Sequence, residues 1–219
     1  MKYDYLIIGA GLFGSIFAYE ANKLGKKVLV IEKRNHIGGN CYTENYEDYH
    51  IHTYGPHIFH TSQKYIWDYI NQFTEFNNYS HRVKSFSQGK LYSMPINLST
   101  INQFYGKNMN PEQAANFMNK VVDDQIEINN FESKAISSIG KDLYEAFIKG
   151  YTLKQWQMDP KELPSTIISR LPVRLNYNTE YFDDFYQGIP LDGYTTWIKK
   201  LLGKSEIFLN VDYFDIKEQ

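Results

Sequence analysis

The fold turns on residues 3–34, YDYLIIGAGLFGSIFAYEANKLGKKVLVIEKR. Tyr5 to Ile8 make a short apolar run, the pattern of a buried parallel strand. Phe13, Ile16, Phe17, Ala21 and Leu24 then recur at helical spacing until Gly25 ends the pattern. Val28 to Ile31 form a second apolar run, closed by Glu32. The segment reads as strand, turn, helix, strand, and the chain as an α/β protein with a Rossmann-like βαβ head.

The turn of that head is GAGLFG, which sets Gly9, Gly11 and Gly14 in the G-x-G-x-x-G spacing. Glycine is common enough that the spacing alone says little. Here it lies between a strand and a helix, and Glu32 ends the next strand 18 residues after Gly14. That context points to a dinucleotide. Gly9 permits the tight turn, Gly11 lets a pyrophosphate approach the backbone, and Gly14 lets helix and strand pack closely. The helix N-terminus then faces the anion. Glu32 is placed to accept from both hydroxyls of a ribose and would repel a 2′-phosphate, which disfavours NADP. IGGN, residues 37–40, follows shortly. A nicotinamide needs no second glycine pair. A flavin needs another close backbone approach, which Gly38 and Gly39 allow.

Composition bounds the partners. Lys and Arg total 23 against 25 Asp and Glu, a near-neutral balance that argues against nucleic acid or an anionic membrane. The 19 tyrosines offer stacking faces with hydrogen-bonding tips and suit a planar or sugar ligand, although AT-rich coding would give the same excess. Cys41 is the single cysteine, which excludes an internal disulfide and a cysteine zinc site. No apolar run approaches a membrane span, and the strand pattern begins too early for a signal peptide, so a soluble cytoplasmic protein is expected. HTYGPHIFHT, residues 52–61, holds three histidines. With no carboxylate beside them, and Pro56 opposing the helix that would align His57 and His60, they make poor metal ligands. His57 is read as facing a flavin and His60 as structural.

Residues 41–61 read as irregular, and QKYIWDYINQF (63–73) as an amphipathic helix. HRVKSFSQGKLYSMPIN (81–97) reads as a hairpin turning at Gly89. From Leu98 to about Gly150 the pattern is mostly helical, with Asn110-Pro111 opening one helix. IGKDLYEAFIKGYTLKQW (139–156) is a further helix running to an aromatic turn. GYTTWIKKLL (193–202) is a short helix, and EIFLNVDYF (206–214) alternates like a strand that returns to the first sheet. The expected domains are a head over 1–80, a hairpin-plus-helices substrate domain with a mobile loop over 81–190, and a return toward the head over 191–219. A complete dinucleotide fold has more parallel strands than this, so the sheet looks unfinished.

GAGLFG, IGGN, YGPHIFHT, PINLSTINQF, LYEAFIKGYTLKQW, LPVR and GYT, in this order, resemble the UDP-galactopyranose mutase family from Tyr3 to about Phe214. The resemblance implies a flavin-dependent isomerase that interconverts UDP-galactopyranose and UDP-galactofuranose, the precursor of galactofuranose in surface polysaccharides. It implies reduced FAD acting through a covalent flavin-sugar adduct, with no Ser, Cys or base triad. Gly9, Gly11, Gly14 and Glu32 would hold the ADP half of FAD. Gly38, Gly39 and Asn40 would line the flavin side, and His57 would sit beside the reactive flavin nitrogen. Tyr151 would stack on uracil, with Phe147, Thr152 and Trp156 completing the uridine pocket and Tyr181 bonding the pyrophosphate. Arg170 would neutralise the diphosphate, draw a mobile loop closed and stabilise the leaving UDP. Arg174 is a second candidate phosphate ligand.

Read without the resemblance, Tyr151 and Trp156 flank Lys154 on an aromatic turn that suits a base. Phe147 and Trp156 equally suit core packing, and Arg170 a solvated arginine. The match has two departures. His81 stands where the family commonly carries asparagine. Family chains also run well beyond this length, supplying a second arginine and further tyrosines, so the resemblance covers their N-terminal portion. It further implies a homodimer. Two other readings stay open: an FAD-dependent amine-oxidase-like oxidoreductase, which has no use for a uridine platform, and a UDP-sugar-binding fragment without catalysis.

Overall fold

A computed structural model describes residues 2–122, 125–170 and 173–217, the side chains of Ser169 and Arg170 excepted. The chain forms two units, Met1–Tyr79 with Asp184–Gln219, and Ser80–Asp183. In chain order the first unit opens with β1 (Tyr5–Ile8), α1 (Leu12–Lys23), β2 (Val28–Glu32), β3 (Thr43–Tyr46), β4 (Tyr49–His52), β5 (Phe59–Thr61) and α2 (Lys64–Ile70). The second holds β6 (Val83–Ser87), β7 (Lys90–Met94), α3 (Leu98–Tyr105), α4 (Pro111–Val121), α5 (Phe131–Ile139), α6 (Lys141–Leu143) and α7 (Gly150–Trp156). The chain then returns to the first unit with β8 (Tyr186–Gly188), α8 (Gly193–Leu202), β9 (Glu206–Leu209) and α9 (Tyr213–Ile216).

β1, β2 and β9 form a parallel sheet in that order, with Leu6 opposite Leu29 and Val30 opposite Ile207. The strand read at 206–214 does return to the first sheet, but it ends at Leu209. Asp212 then accepts the Phe214 N–H at 3.0 Å and starts a helical turn. α1 and α8 share a core with one face of the sheet, burying Ile7, Ala18, Val30, Trp197, Ile198 and Leu201. The expectation that β1 is buried holds for Ile7 alone. Leu6 and Ile8 point to the opposite face and are 50% and 58% exposed, because no described layer covers them.

The apolar stripe read on α1 is split: Ala21 is buried and Ile16 packs against the core, but Phe13, Phe17 and Leu24 are turned outward. Phe13 and Leu24 are 87% and 78% exposed, while Gly14, Ser15, Ala18 and Ala21 are buried. A Cβ on Gly14 would stand 2.2 Å from the Gly9 carbonyl oxygen. The helix lies so close to the strand that small residues take the inner face.

Residues 43–52 form a hairpin where the sequence suggested irregular chain, pairing Thr43 with His52 and Tyr46 with Tyr49. Its strands are polar, and its turn uses Glu47 at a φ of 51° in place of glycine, so no sequence signal marked it. β5 pairs antiparallel with β8, Phe59 opposite Gly188. That pairing draws the return into the first unit from Asp184, seven residues before the boundary expected at 191.

Asp184 fastens this return. Its carboxylate accepts from the Ser62 hydroxyl at 2.5 Å and pairs with His60 Nδ1 at 2.5 Å. The Ser62 hydrogen bond, then that of His60, holds the carboxyl below the usual range. A carboxyl depressed in the folded state stabilises above its unfolded pKa and loses that contribution as pH falls through its folded value. Asp184→Asn should therefore lower the urea midpoint near neutral pH, and the gap to wild type should narrow below about pH 4. A pH-independent gap would contradict this account.

In the second unit β6 and β7 turn at Gln88 and Gly89, with φ of 50° and 75°. Asn97, Asn110 and Asn130 cap α3, α4 and α5 by accepting the N–H of Thr100, Gln113 and Ser133. Each cap stabilises by about 1 kcal/mol. The core gathers Tyr92, Ile101, Phe131, Ile139, Leu143 and Tyr144. Between α6 and α7 the helix widens to π geometry over Tyr144–Lys149, a feature often found at functional sites. Among the described residues no helix is long and apolar enough to cross a membrane.

Candidate functional site

The first candidate site is the mouth of the head. Gly9 has a φ of +98° and donates its N–H to the Ile31 carbonyl at 2.7 Å. Gly38, at +104°, donates to the Ala10 carbonyl at 2.8 Å. A Cβ on Gly39 would stand 3.2 Å from Gly11 Cα. GAGLFG and IGGN, separate in sequence, thus form one patch of bare backbone. Gly11 caps α1 with no side-chain hydrogen bond. The N–H groups of the first turn have no partner within the helix, and its positive end is left to an anion.

Glu32 is 7% exposed, and its carboxylate accepts the Ala10 and Arg34 N–H groups, each at 2.8 Å. One bond per oxygen leaves each a further lone pair, enough for two ribose hydroxyls. β9 arrives beside it: Val211 donates to the Glu32 carbonyl and Asn210 to that of Arg34, both at 3.0 Å. The sequence reading missed Asn210 and Val211. The one signal for them is a strand returning next to the acidic end of β2. Asn40 accepts from Arg34 Nη2 at 2.8 Å, and the Arg34 guanidinium lies over Tyr54 at 4.4 Å.

His57 is half-buried, and its carbonyl accepts from the Tyr194 hydroxyl at 3.0 Å. Burial, then the charges of His50 and His57, push the His52 imidazole below its ordinary pKa. Among the described residues no group of three or more His, Cys, Asp or Glu side chains could hold a metal ion.

The second candidate site is a cavity of about 660 Å³ within Ser80–Asp183. Phe147, Ile148 and Tyr151 form one wall, Met94 to Ile96 another, and Tyr181 a third. Its charged lining is Lys84 and Lys134, with His81 beside them and no carboxylate among the described residues. Apolar and aromatic walls with cations suit a planar group carrying an anion.

Of the predicted substrate residues, Phe147, Tyr151 and Tyr181 come together here. Phe147 also belongs to the core, its ring 4.9 Å from Tyr92, whereas Tyr151 is 66% exposed. Thr152 is buried and Trp156 half-exposed on the same helix, and neither lines the cavity. The Arg170 side chain lies outside the described residues. Arg174 is not available to a phosphate: its side chain is 7% exposed, donates to the Glu180 and Tyr181 carbonyls and pairs with Asp183. His81, Lys84 and Lys134 carried no motif, and only the fold assembles them.

Residues 146–219 match the family model of UDP-galactopyranose mutase, and residues 7–73 that of an NAD(P)-binding Rossmann-like domain. A probable UDP-galactopyranose mutase of Klebsiella pneumoniae is 44% identical over 211 residues, 95% of this chain and 55% of that protein. A dTDP-fucopyranose mutase of Escherichia coli is 43% identical over 92% of this chain and 54% of its own length. The crystal structure of a reduced UDP-galactopyranose mutase superposes with a TM-score of 0.68, covering 95% of this chain and 49% of that one. At 18% identity that likeness speaks for the fold. The chain spans about half the length of the curated relatives it matches. By sequence it is a relative of the UDP-galactopyranose mutases.

Proposed function

We propose that this chain supplies the FAD-binding head and the nucleotide pocket of a flavin-dependent isomerase that interconverts UDP-galactopyranose and UDP-galactofuranose. The observation that carries this reading is the coincidence of match and cavity. The segment 146–219 matched by the mutase model provides Phe147, Ile148, Tyr151 and Tyr181 to the cavity walls. An amine-oxidase-like oxidoreductase would need no such pocket.

When bound, reduced FAD supplies the nucleophile for the anomeric carbon. The residues present fit the cofactor. The bare backbone at Gly11 and Gly39 admits a pyrophosphate, the α1 N-terminus offers it N–H groups, and Glu32 keeps lone pairs for ribose. Gly38, Gly39, Asn40 and His57 are assigned to the flavin side. In the second unit Tyr151 and Phe147 would take the base, with Thr152 and Trp156 supporting from the same helix. Tyr181, Lys84, Lys134 and Arg170 would meet the diphosphate, whose leaving-group charge cations stabilise.

A second nucleotide sugar competes on a specific ground: the dTDP-fucopyranose mutase is 43% identical, against 44% for the UDP-galactopyranose mutase. The walls at Met94, Ile96 and Ile139 would seat a thymine methyl. Calorimetric titration of the purified chain with UDP and with dTDP should give saturable binding of one or both, and the protein should carry flavin absorption bands. Dithionite-reduced, FAD-loaded protein should convert UDP-galactofuranose to the pyranose. Preference for dTDP would move the substrate to the second reading. A colourless protein that binds neither nucleotide would overturn both.

A further inference from the structure

We propose that Arg174 is a positioning residue of the nucleotide pocket, clamping the segment Glu180–Asp183 so that Tyr181 and His81 form one fixed wall. The proposal rests on the functional reading of the cavity above. An arginine with a side chain 7% exposed must satisfy its N–H donors inside the protein or be heavily penalised. Among the described residues, the acceptors of the Arg174 side chain all lie on one strap: the Glu180 carbonyl, the Tyr181 carbonyl at 3.4 Å and the Asp183 carboxylate at 2.7 Å. That strap belongs to no helix or strand, so its carbonyls have no ladder to join.

The opposite side of the strap is tied as well. The Tyr181 N–H donates to the His81 carbonyl at 2.7 Å, and the Ser80 hydroxyl to Glu180 Oε1 at 2.9 Å. The Tyr181 and His81 rings meet edge to face at 5.4 Å. Arg174 is itself pinned, its N–H donating to the Ile96 carbonyl at 2.9 Å. Ile96, Val173, His81 and Tyr181 all line the cavity, and Arg174 does not. It acts through them. The Asp183 side chain is 70% exposed and its charge is well screened, so the carbonyl bonds carry the clamp. A lysine ammonium lacks the planar fork that reaches two carbonyls and a carboxylate at once.

The test compares wild type, Arg174→Lys and Asp183→Asn, each labelled with 3-fluorotyrosine. The Tyr181 and Tyr144 resonances are assigned from Tyr181→Phe and Tyr144→Phe. In Arg174→Lys the Tyr181 fluorine signal should shift or broaden while that of Tyr144, in the core of the same unit, stays in place. UDP affinity should fall about tenfold, since small misplacements in a site have large effects. Asp183→Asn should change either readout little. An unmoved Tyr181 signal in Arg174→Lys overturns the clamp whatever happens to UDP. A moved signal with unchanged UDP affinity overturns the link to the pocket. Failure of the wild type to bind UDP or dTDP overturns the functional reading, and the fluorine signal still decides the clamp.

Discussion

Gly14→Ala is expected to lower the stability of the first unit by about 3 kcal/mol, the upper end of the range for overpacking. The added methyl would stand 2.2 Å from the Gly9 carbonyl oxygen and 3.1 Å from Ile7 Cγ2. The first obstacle is backbone and cannot rotate away, so α1 must lift from β1. Lifting it pulls Ala10 from the Glu32 carboxylate and Gly11 from Gly39, and the flavin content should fall with the stability. Gly11→Ala is the informative control. Its Cβ meets only Gly39 Cα, at 4.0 Å, so the fold should accept it. The methyl narrows the bare backbone between Gly11 and Gly39 assigned to a pyrophosphate, and the variant should lose flavin at nearly unchanged stability. Urea midpoints and flavin absorbance of the two variants check this. A Gly14→Ala unfolding free energy within about 0.5 kcal/mol of wild type would contradict the close helix–strand contact.

The two glycines also show where sequence is legible. Strand, turn, helix and acidic strand end are local patterns, so β1, α1, β2 and Glu32 could be read from residues 3–34 alone. The hairpin at Gly89, the helix opened by Asn110-Pro111 and the strand character of β9 were legible for the same reason. Periodicity, however, reports which residues are apolar and not what covers them. Leu6, Ile8 and Phe13 carry a buried pattern on an uncovered surface, while the inner face of α1 belongs to glycine and alanine. The hairpin at 43–52 was illegible because its strands are polar and its turn has no glycine.

The candidate sites divide along the same line. The residues alone suggested Tyr151 with Trp156, and Trp156 does not line the cavity; Phe147 and Tyr181 were named only through the resemblance, and Tyr181 reaches the cavity on the irregular strap that Arg174 bonds. Charge alone made Arg174 a second candidate phosphate ligand in the sequence reading. Its burial and its carbonyl partners make it structural, and burial is not written in a single arginine. Nor could any motif join Gly38 and Gly39 to Gly11, since that contact exists only once the chain has folded.

Trp197→Ala should produce a loss of similar or greater size, about 3–5 kcal/mol, by opening a large cavity in a packed core. Trp197 on α8 is fully buried, its ring 5.7 Å from Phe76, 6.0 Å from Tyr194 and 6.2 Å from Phe59. α8 would lose the anchor that holds it to β5 and to the chain after α2. Trp197→Phe separates volume from polarity. Among the described residues the indole Nε1 is buried with no hydrogen-bond partner, a situation that carries a penalty of about 1–3 kcal/mol. Phenylalanine removes that donor while keeping most of the aromatic surface, so relief of the unpaired N–H offsets part of the lost packing. The phenylalanine variant should therefore lie within about 1 kcal/mol of wild type in urea unfolding monitored by far-UV circular dichroism. Equal losses in the two variants would mean that Nε1 is hydrogen-bonded after all. A small loss in both would mean that the aromatic cluster does not hold α8, and with it the covered face of the sheet that positions Glu32.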